Sequence, residues 1–153
     1  VEQLVDAGFK NIEVSNYGNP KGMPQFKDCD ELFKRIRTIK KLKGKPDRVL
    51  IDAPCSGLGV LKRNPDSKWK LKPEFIERIK QTQREILQQY SGMVKTGGKL
   101  VYATCSILPS ENEEQVAHFL NNNEYFKMEK ELKVSPAESG FDGFYMALLS
   151  KSQ

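Results

Sequence analysis

Histidine and tryptophan each occur once in these 153 residues, and cysteine only three times. Cys29, Cys55 and Cys105 are an odd number at wide spacings, which excludes the dense paired framework of a small secreted disulfide scaffold. With His118 they match a Cys₃His donor set in number, but no two stand at the short spacing that pins zinc, so no metal is expected. No apolar run approaches the ~20 residues needed to cross a bilayer. The opening Val1-Glu-Gln-Leu-Val-Asp6 has neither the basic start nor the apolar middle of a secretory leader. Internal repeats and low-complexity tracts are also lacking. Reduced thiols, a cytoplasmic location, no membrane partner and a monomeric state are the resulting expectations.

At 38% hydrophobic content the chain can bury one core and is too short for two. Its formal charge is +5, unevenly placed. Lys34 to Arg48 and Lys62 to Lys72 together hold 13 of the 25 basic residues and 2 of the 20 acids. A lysine-rich run is ordinarily a solvated face. Two of them bracketing one loop point instead to a polyanionic partner, nucleic acid above all.

That loop lies within Arg48-Val-Leu-Ile-Asp-Ala-Pro-Cys-Ser-Gly-Leu-Gly59, where a short apolar run, Val49 to Ile51, meets an acid, a proline, a cysteine and two glycines. The pattern predicts a buried strand ending in a tight loop. Leu100-Val-Tyr-Ala-Thr-Cys-Ser106 repeats it fifty residues later. Two parallel strands would bring both sulfurs to one sheet edge.

Taken in order, Glu2 to Phe9 reads as the last turns of a helix, Asn11 to Val14 as a strand, and Pro20 to Lys27 as an exposed excursion. Asp30 can cap a helix with apolar positions Leu32, Phe33, Ile36, Ile39 and Leu42, ended by Gly44 and Pro46. After the central loop, 65–72 reads as irregular. Pro73 suits the first position of a long helix buried through Phe75, Ile76, Ile79, Ile86, Leu87, Tyr90, Met93 and Val94. Lys99 to Ala103 is a strand; Ser110-Glu-Asn-Glu113 reads as a capping box opening another helix. Phe126 to Val134 and Phe144 to Leu149 are closing strands. Alternation of this kind predicts an α/β fold with a mostly parallel sheet covered on both faces and an antiparallel hairpin at its carboxyl-terminal edge.

In such sheets ligands bind beyond the carboxyl ends of the strands, where Asp52, Cys55, Thr104 and Cys105 fall. A lone cysteine is more often a small buried hydrophobe. Two of them, each after an apolar strand, suggest thiolate chemistry. Asp52, at the end of an apolar run, is expected to be partly desolvated and able to hold or accept a proton from a bound base. Gly57 and Gly59 read as turn residues.

Asp52-Ala-Pro-Cys-Ser-Gly-Leu-Gly59, Arg63-Asn-Pro-Asp-Ser-Lys-Trp69, Gly97-Gly-Lys-Leu-Val-Tyr-Ala-Thr-Cys-Ser106, Leu108-Pro-Ser-Glu-Asn112 and Asp142-Gly-Phe-Tyr145 together resemble the Sun/Fmu-type RNA (cytosine-5)-methyltransferases. The resemblance is strongest over 47–150, so that 1–153 would be a partial catalytic domain. It implies the Rossmann-like class I S-adenosylmethionine-dependent fold with its amino-terminal part missing. It implies methyl transfer to C5 of cytosine in rRNA or tRNA, with Cys105 as the nucleophile that adds to C6 and Cys55 helping to release the product. Asp52 matches the acid that hydrogen-bonds the base beside the cofactor methyl. S-adenosyl-L-methionine would meet Asp52, Pro54 and Asn16, this last only weakly matched, since the family often has an acid near the adenine. RNA would meet Lys62, Arg63 and Lys68. The family's glycine-rich cofactor loop would precede Val1, and without it the chain by itself is expected to be inactive.

Two other functions compete. Exocyclic-amine methylation would want Asp/Asn-Pro-Pro-aromatic at 52–55, against which Ala53 and Cys55 stand. A truncated, non-catalytic RNA-binding fragment would keep the basic contacts and lose cofactor affinity. No family role falls to Cys29, and His118 reads as a surface or packing residue.

Overall fold

β1 (Arg48–Asp52) and β2 (Lys99–Thr104) pair in parallel, Leu50 opposite Val101 and Ile51 opposite Tyr102, in a computed structural model that describes residues 46–152. Parallel neighbours need a long crossover, because a tight turn would reverse the chain. Residues 53–98 supply it through the short α1 (Ser67–Lys70) and the long α2 (Pro73–Ser91). The expected helix at 2–9, strand at 11–14 and basic helix of 30–43, with Asn16 and Cys29, lie outside the described residues.

Pro73 opens α2, where its missing N–H would be unpaired in any case, and Glu74 meets the positive helix end. The helix ends at Ser91, three residues before Val94, the last residue of its apolar stripe. The amides of Met93 and Val94 donate to Tyr90 and Ser91 carbonyls, three residues back, which tightens the chain into a turn while Val94 stays fully buried. Gly97, at φ 74°, completes the reversal into β2. Within 65–72, read as irregular, the four residues of α1 are helical.

A single 3₁₀ turn, Pro109–Glu111, separates β2 from α3 (Glu113–Asn121). The capping box expected from Ser110 and Glu113 does not form. Ser110 lies within the 3₁₀ turn, Asn112 takes the cap position, and no side chain caps the helix. Asn112 is engaged elsewhere: its Oδ1 is 2.5 Å from the Thr104 hydroxyl and its Nδ2 donates to the Ser106 carbonyl at 2.9 Å.

β3 (Phe126–Val134) reaches β4 (Phe144–Lys151) through the short α4 (Pro136–Ser139). The sheet order is β1-β2-β4-β3, with β4 antiparallel to both neighbours. Three of the four described strands therefore run in one direction, and the expected hairpin closes the edge. One sheet face contributes Ile51, Leu100, Tyr102, Tyr145, Ala147 and Leu149 to a core completed by Ile86, Leu87, Tyr90, Val116 and Phe119 of α2 and α3. A buried leucine or phenylalanine in such a layer contributes about 1.5–3 kcal/mol. By strand alternation the opposite face carries Leu50 and Leu132, 69% and 44% exposed, so among the described residues only one face is well covered.

Candidate active site

Because β1 and β2 are parallel and in register, Asp52 lies opposite Ala103 and the two cysteine loops leave the same sheet edge. The backbone ties them together: Ala53 N donates to Ala103 O at 2.8 Å and Gly59 N to Cys105 O at 2.9 Å, while Gly143 N donates to Gly59 O at 2.8 Å. Gly59 is glycine for lack of room. A Cβ there would stand 2.7 Å from the Cys105 carbonyl oxygen and would overlap the Gly143 carbonyl. Gly57 supplies the left-handed turn at φ 71° that swings the loop round.

The result is a pair of half-buried free thiols with Cys55 Sγ 3.4 Å from Cys105 Sγ. At that separation one thiol can donate to the other's thiolate, so the pair gives up its first proton readily and holds its second. The hydrogen bond from Cys55 brings the Cys105 thiol down from 9.0 to about 7, against desolvation and the charge of Asp52. The same contact, followed by burial, pushes Cys55 up. Such a pair titrates as a unit, with the first ionisation favoured at Cys105.

Beneath the sulfurs is a layer that the sequence pattern does not disclose. Glu111, fully buried, accepts from Ser56 N at 2.7 Å, from Ser56 Oγ at 2.5 Å, from Ser106 Oγ, and from Gln83 Nε2 at 3.3 Å. Gln83, also fully buried, donates to Pro54 O at 2.8 Å from the middle of α2. Tyr102 donates its hydroxyl to the Glu111 carbonyl at 2.7 Å. The signal was present in the repeated Cys-Ser dipeptide, 55–56 and 105–106, and in a glutamine within an apolar helix stripe.

Asp52 stands at the carboxyl end of β1 but is exposed, not partly desolvated as its sequence context suggests. It ends the strand on the parity of Leu50, away from the buried Ile51, which turns it from the core. Its charge still reaches Cys105. Pro54 is half-buried and anchored through its carbonyl.

Lys62, Arg63 and Lys68 are all exposed on the segment that follows the cysteine loop. Arg63 Nε is 2.7 Å from Asp142 Oδ2, tying this segment to the loop before β4. Lys68 lies 4.9 Å from the ring centroid of Trp69, which is 81% exposed. Phe141 and Ile107 are exposed as well. His118 is on the exposed side of α3. Among the described residues no cluster of histidine, cysteine and acidic side chains could hold a metal ion, and no helix is long and apolar enough to cross a membrane.

Comparison with known proteins follows the same outline. The chain is similar to the ribosomal RNA small subunit methyltransferases B of Proteus mirabilis, 46% identical over 105 residues, and Vibrio cholerae, 44% over 111. These matches cover 69% of this chain and 25% and 26% of those proteins, so it spans about a quarter of the relatives' length. Its fold superposes on the crystal structure of PH0851 with a TM-score of 0.72 and 31% identity, covering 84% of this chain and 35% of that one. For NSun6 from Pyrococcus horikoshii with SFG the TM-score is 0.65 at 25% identity, covering 86% and 40%. The family described as 16S rRNA methyltransferase RsmB/F matches residues 32–150, which takes in both cysteine loops and every described strand but the last residue of β4, and this chain belongs to that family.

Proposed function

We propose that this chain forms part of an enzyme that methylates C5 of a cytosine in RNA through a covalent adduct on Cys105. The observation that carries this reading is the 3.4 Å approach of two thiols at the carboxyl ends of adjacent parallel strands, with Cys105 the more easily ionised. A thiol titrating near 7 is about half thiolate at neutral pH, where an ordinary one is thiolate to only a few per cent.

In this reading Cys105 Sγ adds to C6 of the cytosine, and the electron pair displaced from the C5–C6 double bond makes C5 nucleophilic. S-adenosylmethionine, when bound, supplies the methyl group that C5 takes. Release then restores the double bond: the C5 proton leaves to water, the Sγ–C6 bond breaks, and its electron pair returns to Cys105. Cys55 steadies that departing thiolate through the same S–H hydrogen bond that lowers the Cys105 pKa in the free protein. Asp52 hydrogen-bonds the base. An exposed carboxylate at the mouth of the β1 loop fits this cofactor and base, and Asp52 and Pro54 would flank the cofactor with Asn16 upstream. Lys62, Arg63 and Lys68 would hold the RNA backbone, and the exposed ring of Trp69 offers a stacking surface.

Calorimetric titration of the full-length polypeptide with S-adenosylmethionine, followed by methyl transfer to RNA and mass analysis of the modified nucleoside, tests the reading. 5-Methylcytosine is the expected product. RNA binding without cofactor heat or methyl transfer would leave a non-catalytic RNA-binding protein in its place.

A further inference from the structure

Four donors from three separate segments converge on one buried carboxylate. Oε1 of Glu111 takes the amide of Ser56 and the side-chain amide of Gln83, and Oε2 takes the hydroxyls of Ser56 and Ser106. Each serine immediately follows one of the two cysteines, and their hydroxyls are 3.2 Å apart. The carboxylate thus grips the residue next to each cysteine without bonding to either sulfur. A structural role alone needs only that a buried acid be satisfied. Here the partners are the residues whose displacement would separate the thiols. The stretch of backbone from Ser106 to Glu111 is further braced by Asn112 on Thr104 and on the Ser106 carbonyl, and by Tyr102 on the Glu111 carbonyl. The clamp is therefore rigid on the β2 side, and the Cys55 loop is drawn onto it.

We propose that Glu111 is a positioning residue, whose carboxylate clamps Ser56 to Ser106 and so holds Cys55 and Cys105 at the separation their shared chemistry requires. Its effect on catalysis rests on the function proposed above; its effect on the sulfur separation does not. Glu111→Gln keeps the shape and one acceptor but places an amide N–H₂ either against the two hydroxyls that now donate to Oε2 or against the two N–H groups at Oε1. Against the N–H groups donors face donors; against the hydroxyls, both must rotate to accept and their own O–H groups lose the acceptor at Oε2, so in either orientation the bonds that draw Ser56 and Ser106 onto one carboxylate are broken.

The test uses the full-length polypeptide and diamide, which takes two electrons and two protons from a thiol pair and leaves a disulfide. Formation of the 55–105 crosslink is followed by peptide mapping, well below each variant's thermal midpoint. Glu111→Gln should slow the crosslink at least tenfold and shift the pH at which Cys105 alkylates; Glu114→Gln, exposed on the first turn of α3, should change neither. In the methyl-transfer assay Glu111→Gln should lower kcat at least tenfold with KM for RNA unchanged. A lowered thermal midpoint with an unchanged crosslinking rate would overturn the proposal. Should Glu111→Gln fail to fold, Ser106→Ala, which removes a single hydroxyl from the clamp, decides: a slowing of threefold or more upholds the clamp, and an unaltered rate refutes it. If the wild type transfers no methyl group, the functional reading fails while the crosslinking rates still decide the role of Glu111.

Discussion

The hydroxyls of Ser56 and Ser106 stand 3.2 Å apart, one residue beyond each of the two cysteines and fifty residues from one another along the chain. Through them both loops share the buried Glu111, and above them the two sulfurs meet. The cysteines of this site are consequently expected to behave as a pair, and their separate removal should have different consequences.

Cys105→Ala should abolish methyl transfer and adduct formation altogether. Cys55→Ala should leave attack possible and impair release, so that a covalent RNA adduct accumulates. Denaturing gels with labelled RNA distinguish the two. Adduct formation by the Cys105 variant would exchange the roles.

The pH dependence of thiol labelling follows from the shared proton. Cys105 is brought down to about 7 by the Cys55 hydrogen bond, so its alkylation by iodoacetamide should rise through pH 7 rather than 9. Cys55, whose pKa is raised, should label slowly throughout that range. Cys55→Ala should move the Cys105 midpoint upward, toward an ordinary thiol. For stability the sign follows from linkage: between about 7 and 9 folded Cys105 has lost a proton that the unfolded chain keeps. The contribution of Cys105 is thus fully present above its unfolded value and lost as pH falls through 7, whereas Cys55, whose proton is held more tightly in the fold, contributes stability that declines as pH rises past its unfolded value. Mass-resolved labelling across pH 5 to 9 checks both thiols at once.

Gly59→Ala should destabilise the fold by about 1–3 kcal/mol, the usual cost of forcing a methyl group into filled space. The obstacles are backbone carbonyls of Cys105 and Gly143, which cannot swing aside as a flexible side chain would. Chemical denaturation measures it. Because the same shift moves the Cys105 loop, thiol labelling should change together with stability.

The proposed RNA contact can be tested through the chain's one tryptophan, Trp69, whose ring is 81% exposed. Titration with single-stranded RNA should quench its fluorescence, and Trp69→Ala should weaken binding by the roughly 1–3 kcal/mol of one stacked base. Converting Lys62 and Lys68 to glutamate should flatten the dependence of log affinity on log salt by about 0.7 for each single-strand phosphate that is no longer neutralised. An unchanged slope would mark both lysines as merely solvated.

Much of this was legible in the chain itself. Apolar runs ending at Asp52 and Thr104, the α2 stripe between Pro73 and Tyr90, and the closing hairpin are local patterns, set by side-chain period and by proline and glycine, and they determined element types, most boundaries and the pairing of the two cysteine loops. What sequence could not settle was which polar side chains look inward. Glu111 and Asn112 lie between the two ends of an apparent capping box, Ser110 and Glu113, and Asp52 follows a buried run, yet the first two are held by partners from β2, α2 and the cysteine loops while Asp52 faces out. A buried carboxylate is decided by donors brought from distant segments, and only the parallel register of β1 with β2, laid against α2, assembles them around one point.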